Sequence, residues 1–309
     1  MYPYNNKKGQ LIQTDARGVS ADHSFLAHYQ VPNAAAESNI AVMALTALGA
    51  SAATVLLGLT DPDAPRNIKA IASKAGITTK VTVNGLNFAG EVISEEITLN
   101  GLTVVAGDIA FKKITSVSLP ARTNAPAKQK ATVAVTQGAQ ATGTTVFTLT
   151  SAATGAAYDI SIAFLAADDT TAEAATKLAA GLNADATFAA KWLAASSGAN
   201  VTIESLTYEA QDATINLVVK TAGDSAITVG AITVNTVAGV AEDKVSVGVG
   251  KKFGIPYMLT ADELVIIKLF DNSADSGTVT PDDDEIEKNV IALNGTPNGA
   301  KNIDLYIIV

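Results

Sequence analysis

The chain has no cysteine among its 309 residues, which removes disulfides, thiolate nucleophiles and zinc–thiolate centres together. Aromatic residues make up 5% and charged residues 17%, a balance that favours layered sheets over charged helices. Basic charge is also scarce, with 21 Lys and Arg against 30 Asp and Glu and a net charge of −9. Without a basic surface to neutralise phosphates, nucleic acid is not expected as a partner. Histidine is limited to His23 and His28, and no local motif supplies a third ligand, so both are read as surface or packing residues.

What is present is Ala, Thr, Val and Gly, enough for two domains with real cores. One apolar run calls for a membrane check: Ile40–Leu59, IAVMALTALGASAATVLLGL, carries no charge over twenty residues. Its length permits a span. Dilution by Gly49, Gly58, Thr46, Ser51 and Thr54, and the lack of flanking Lys/Arg or Trp/Tyr anchors, argue instead for two short buried elements broken near Gly49-Ala50-Ser51. No membrane partner is expected. The opening MYPYNNKKGQ has lysines but no apolar core after them and is not read as a secretory signal.

Residues 1–39 have polar clusters, prolines and the aromatics Tyr2, Tyr4, Phe25 and Tyr29, without strand or helix periodicity over 1–33. They read as an extended arm that orders against a neighbour, and these four aromatics are its candidate contacts. Strands are expected at Asn67–Ser73 and Thr78–Val83, where Val81 and Val83 share a face, with a hairpin loop over Asn84–Gly90. In Glu91–Leu99 the apolar pairs fall out of phase around Ser94-Glu95-Glu96, which predicts a bulge or a change of buried face. Asn100-Gly101 predicts a type I′ turn, and Ala110–Leu119 one further strand.

The proline-bearing stretch Pro120–Lys130 reads as a linker. Beyond it, strands are expected near Ala131–Val135, Thr145–Thr150, Ala157–Phe164, Val201–Ser205, Thr214–Lys220 and Ala226–Val234. Thr170-Thr171-Ala172-Glu173 fits a capping box opening a helix with Ala175, Leu178, Ala179 and Leu182 on one face. A helical turn around Ala186–Leu193 is expected to bury Phe188 and Trp192. After Asp243 the style of the first domain returns and ends on the apolar strand Ile303–Val309. The expected fold is therefore mainly β: a split β-sandwich or barrel-like domain (40–122 and 243–309) with an inserted β-rich α+β module (123–242) and the extended arm.

Three constellations could carry chemistry, and each is weak. Asp282-Asp283-Asp284-Glu285 concentrates carboxylates that a hard cation could use, but the spacing is not that of an EF-hand, and a solvated loop is the simpler reading. Gly248–Gly254 lacks the P-loop pattern and is followed by Pro256. No GxSxG elbow supports a catalytic triad. No catalytic residue, metal site or cofactor is assigned.

The ordered segments Asp61–Ile68 (DPDAPRNI), Gly90–Gly101 (GEVISEEITLNG), Ala110–Pro120 (AFKKITSVSLP), Asp243–Leu259 (DKVSVGVGKKFGIPYML) and the closing IDLYIIV resemble a recurrent β-protein of tailed bacteriophage virions, commonly a head decoration (cement) protein. The resemblance spans a little under half the chain. Residues 131–240 depart from it and resemble the exposed add-on modules of phage structural proteins. It implies a non-enzymatic subunit, made in the host cytoplasm and placed on the outer capsid surface. There it would bridge major capsid protein subunits as a homotrimer, with the arm gripping a neighbour and the inserted module projecting. The alternatives are a tail tube or fibre subunit, or a carbohydrate-binding adhesin whose binder is the inserted module.

Overall fold

A computed structural model describes residues 11–12 and 24–308. It is mainly β and divides into two compact units, one ending at Thr123 and resuming at Asp243, the other Asn124–Glu242.

In the first unit the central strand is Lys244–Gly254. Arg66–Ala72 pairs along one side of it, with Phe253 opposite Arg66, while Ser38–Ala47 and Val290–Ala292 pair along the other. Val105–Phe111 extends this sheet beyond Arg66–Ala72. A second sheet runs Ala53–Val55, Lys113–Leu119, Lys80–Leu86, Val92–Thr98. The two share a core of Val42, Ile68, Val81, Val83, Ile97, Phe111, Val117, Val245 and Val247. The expected single strand Ala110–Leu119 is in fact two, Val105–Phe111 and Lys113–Leu119. The chain changes sheet at Lys112, whose amide donates to the Leu86 carbonyl at 2.9 Å. A corner of this kind lets one chain segment serve both layers of a sandwich.

A third sheet places the closing strand Ile303–Ile308 between Ser24–Val31 and Val265–Phe270. The Ser24–Val31 strand falls where the residue pattern shows no periodicity, because its edge is completed by pairing across the whole length of the chain. Its neighbours Val31, Phe253, Ile255, Val265, Ile303, Leu305 and Ile307 form a second core.

The Asn100-Gly101 turn differs from expectation. Thr103 N–H donates to Asn100 O at 3.0 Å, so the central residues are Gly101 and Leu102. Gly101 has φ +55° and Leu102 is not among the positive-φ residues, whereas a type I′ turn needs both. A Cβ on Gly101 would lie 2.5 Å from the Ala75 carbonyl oxygen. Close approach, not hairpin twist alone, demands glycine there.

The second unit has two sheets, one of Trp192–Ser197, Asn200–Ser205, Lys130–Gln137 with Thr228–Val229 and Thr233–Val237, the other of Tyr158–Phe164, Gly143–Thr150 and Asn216–Thr221. The helix Thr171–Ala184 opens on the expected capping box: Thr170 Oγ1 accepts from Glu173 N–H, and the Glu173 carboxylate accepts from Thr170 N–H. Its Ala174, Ala175, Leu178, Ala179 and Leu182 are buried. Gly181 lets it approach Tyr158–Phe164, since a Cβ there would stand 2.6 Å from Ile162 Cδ1. The expected helical turn over 186–193 stops at Ala189. Phe188 and Trp192 are both buried, but Trp192 begins a strand opposite Ser205.

Candidate functional site

A buried polar cluster of the first unit lies where the proline turn Asp61–Arg66 meets the central strand Lys244–Gly254. Arg66 is fully buried, which pulls its guanidinium below the ordinary value against the opposing pull of Asp63 and Glu37. Its Nε donates to the Gly250 carbonyl at 2.7 Å, Nη2 donates to the same oxygen, and Nη1 donates to Ala35 O at 3.0 Å and to Asp63 Oδ1 at 2.9 Å. The guanidinium carbon stands 4.4 Å from the centre of the Phe253 ring. Asp63 Oδ2 accepts from Ala35 N–H at 2.8 Å. Apart from the local bond to Asp63, these donors tie the proline turn to Ala35 and to the Lys244–Gly254 strand, which is the work of a lock.

Next to this lock, Asn67 Nδ2 donates to Gly107 O at 2.8 Å and its Oδ1 accepts from Lys252 N–H at 3.0 Å. Gly248 and Gly250 of the VSVGVGKK segment are explained by crowding: a Cβ on Gly248 would overlap the Ser38 carbonyl oxygen, and one on Gly250 would overlap the Asn67 amide. Asp61 Oδ1 accepts from Ile114 N–H at 2.8 Å, tying the proline turn to the AFKKI corner.

Glu95 corrects the reading of Glu91–Leu99. The Val92–Thr98 strand pairs with Lys80–Leu86 in unbroken register, without a bulge. Ile93, Glu95, Ile97 and Leu99 all face inward, and Val92 is the residue left outside, 82% exposed. Glu95 Oε1 accepts from Asp108 N–H at 2.5 Å and from Ile109 N–H at 3.4 Å. Its Oε2 is buried with no hydrogen-bond partner among the described residues. Burial raises its pKa above the ordinary glutamate value, with Asp108 adding to the rise and the two amides and Lys252 opposing it. Gly107 makes room, since a Cβ there would overlap the carboxyl group.

The acidic loop spends its carboxylates locally. Asp282 Oδ1 accepts from Glu285 N–H at 2.7 Å and Asp284 N–H at 3.0 Å, bonds that hold Asp282 below the usual carboxylate range. Lys288 pairs with Glu285. Beside them Asn87 Nδ2 donates to Glu91 at 2.9 Å and Glu287 at 3.0 Å. Among the described residues no group of three or more His, Asp or Glu side chains is arranged to hold a metal ion.

Of the candidate contact aromatics, Tyr2 and Tyr4 lie outside the described residues, as does His23. Phe25 contributes its backbone to the Ser24–Val31 strand, opposite Leu11. Tyr29 packs inside its own chain, edge-on to Phe88 with ring centres 5.9 Å apart, and burial pushes its hydroxyl well above the ordinary tyrosine value. His28 Nε2 lies 2.8 Å from Asp304 Oδ1, which also accepts from Gln30 Nε2 at 2.8 Å, and the imidazole stacks on Tyr306. These bonds pin one strand to its neighbour.

The residue pattern missed the inward face of Glu95 and the Arg66 lock. An arginine directly after a proline turn was the available signal for the latter.

Comparison with known protein families, curated proteins and solved structures finds no match to this chain.

Proposed function

We propose that the protein is a non-enzymatic structural component of a tailed-phage virion, a head decoration subunit that binds the major capsid protein on the outer surface and stabilises the shell. The observation that carries this reading is where the resemblance-bearing segments come together. The proline turn, the AFKKI corner and the VSVGVGKK strand fold into one unit and are joined through Arg66 to Gly250 and Asp61 to Ile114. Segments far apart in sequence that interlock at their own turns and glycines are consistent with one shared fold signature. Its polar groups serve structural bonds, which suits a part used in many copies for its surfaces. The inserted unit is then the projecting part, and the whole is sited by lateral and capsid contacts.

The test is to incubate purified protein with expanded empty heads and image them. Density on the head lattice supports the reading; density confined to tails, or none on either, overturns it.

A further inference from the structure

Trp192 is the chain's single tryptophan and is 2% exposed. Its indole Nε1 is buried with no hydrogen-bond partner among the described residues. A buried N–H left unpaired costs more than a typical hydrogen bond gains, and such groups in folded proteins are nearly always satisfied by protein or by ordered water. The polar groups around it follow that rule. Gln129 is buried, donates from Nε2 to the Asp212 carbonyl at 2.8 Å and accepts at Oε1 from Asp212 N–H at 2.7 Å. The buried Asp212 carboxylate accepts from Thr214, Ser151 and Ala153.

Trp192, Gln129 and Asp212 line one recess of the second unit together with Lys191 and Glu209, and its enclosed volume is about 20 Å³. One water needs about 10–15 Å³ measured in this way, whereas a small organic ligand needs a pocket of roughly 300 Å³ or more. Charge and hydrogen-bond sense narrow the guest further. The indole N–H can only donate, so the guest must accept, which a metal cation or an ammonium group cannot do. Asp212 and Glu209 against Lys191 leave the lining net negative, which turns away an anion. The Gln129 amide oxygen and the Glu209 carboxylate, which accepts from Thr207 Oγ1 at 2.8 Å, keep lone pairs beyond these bonds, so the guest can donate in return.

We propose that this recess is a binding site for one ordered water molecule, which accepts from the Trp192 indole N–H and donates to Gln129 or Glu209. The water joins the start of the Trp192–Ser197 strand to residues 206–211, a segment with no helix or strand of its own. Hydration is thereby a built-in part of how that segment is held on the sheet. The proposal goes beyond the virion reading, since it concerns the interior of the inserted unit and stands or falls independently of head binding.

Because the chain has one tryptophan, expression in a tryptophan auxotroph fed benzothienylalanine exchanges the indole N–H for sulfur at this position alone, with the ring shape nearly kept. Removing an N–H that is bonded to water weakens the folded state, whereas removing one that has no partner is neutral or stabilising. Native-state amide exchange of the Asn200–Ser205 strand in the full chain reads the difference. Its opening constant is expected to rise about fivefold with the analogue, and an unchanged or smaller constant overturns the proposal. A crystal structure of the natural full-length chain, at a resolution that orders solvent, is expected to show one water about 2.7–3.2 Å from Trp192 Nε1. An Nε1 bonded directly to a protein atom, a recess closed by a side chain, or an ion or cryoprotectant in place of water overturns it. A water that keeps its position and occupancy in crystals of the analogue also overturns it, because the indole is then not its donor. Should the analogue fail to fold, the structure of the natural chain decides the matter alone.

Discussion

The carboxylate of Asp243 accepts from both the backbone amide and the hydroxyl of Thr123, at 2.8 and 2.7 Å. Thr123 is the last residue of the first unit before the chain leaves it, and Asp243 is the first on its return. Asp243 is buried and also pairs with Lys74 Nζ at 2.6 Å. Within the second unit the corresponding ends are tied by reciprocal bonds between Ala127 and Val240, at 3.0 and 2.9 Å. Each unit thus brings its own two break points side by side, the condition for inserting one domain into another without straining either.

Replacement of residues 124–242 by a short Gly/Ser linker is therefore expected to leave the first unit folded, with a cooperative melt and native-like strand signal. In the full chain, Asp243→Ala removes the acceptor from Thr123 and Lys74 and should cost about 2–4 kcal/mol in denaturant unfolding of the first unit. A melt unchanged by that substitution would show that the clasp contributes nothing.

Glu95 should give the first unit a measurable pH dependence. Its folded pKa is raised, chiefly by burial, so the folded state holds the proton over a range where the unfolded state has released it. Folding then takes up a proton, and stability falls as pH rises from the ordinary glutamate range, about 4.3, through the raised folded value. Glu95→Gln is expected to flatten this slope while keeping the acceptor for Asp108 and Ile109. Urea midpoints measured across that interval check it, and equal slopes for both proteins would refute the assignment.

The second unit contains the opposite case. Burial alone would raise Asp212, but bonds from Thr214, Ser151 and Ala153 outweigh it and hold the group below the ordinary aspartate value. The bonds are Ser151 Oγ at 2.7 Å, Thr214 Oγ1 at 2.6 Å and Thr214 N–H at 2.8 Å. Stability from this group is present above its unfolded value, about 3.9, and is lost as pH falls through the lower folded one. Asp212→Ala is expected to cost about 2–3 kcal/mol at neutral pH and to reduce the acid-side loss of stability. An acid limb unchanged by the substitution would count against it.

Gly248 and Gly250 should differ in tolerance. A Cβ at Gly248 meets backbone of the Ser38–Ala47 strand, which cannot move without breaking its pairing; at Gly250 it meets the Asn67 side chain. Gly248→Ala should therefore destabilise by more than about 3 kcal/mol and Gly250→Ala by less. Pairing Gly250→Ala with Asn67→Ala should recover part of its loss, as comparative thermal melts of the three variants would reveal.

Local chemistry was legible where a few neighbouring residues decide the outcome. The Thr170–Glu173 capping box depends on residues within one turn, and the Leu86–Val92 hairpin on alternation about a short loop. The mainly β class followed from composition and period. Glu95 was misread because its face depends on the amides of Asp108 and Ile109, which arrive from another strand. Trp192 was misread because i, i+4 spacing with Phe188 satisfies a helix, while pairing with Asn200–Ser205 makes it a strand. Of the candidate contacts, the place of Tyr29 was set by Phe88 and by the closing strand, neither visible in its neighbourhood.

Residue type and short-range spacing dictate the β-rich class, the capped helix, the absence of thiol chemistry and the neutrality of Ile40–Leu59. Packing between distant segments sets which sheet each strand joins, turns Arg66 and Glu95 inward, and leaves Ile40, Leu45, Leu56 and Leu57 exposed while Val42 and Met43 are buried. Burial is a property of what covers a residue, and the covering segments here come from distant parts of the chain.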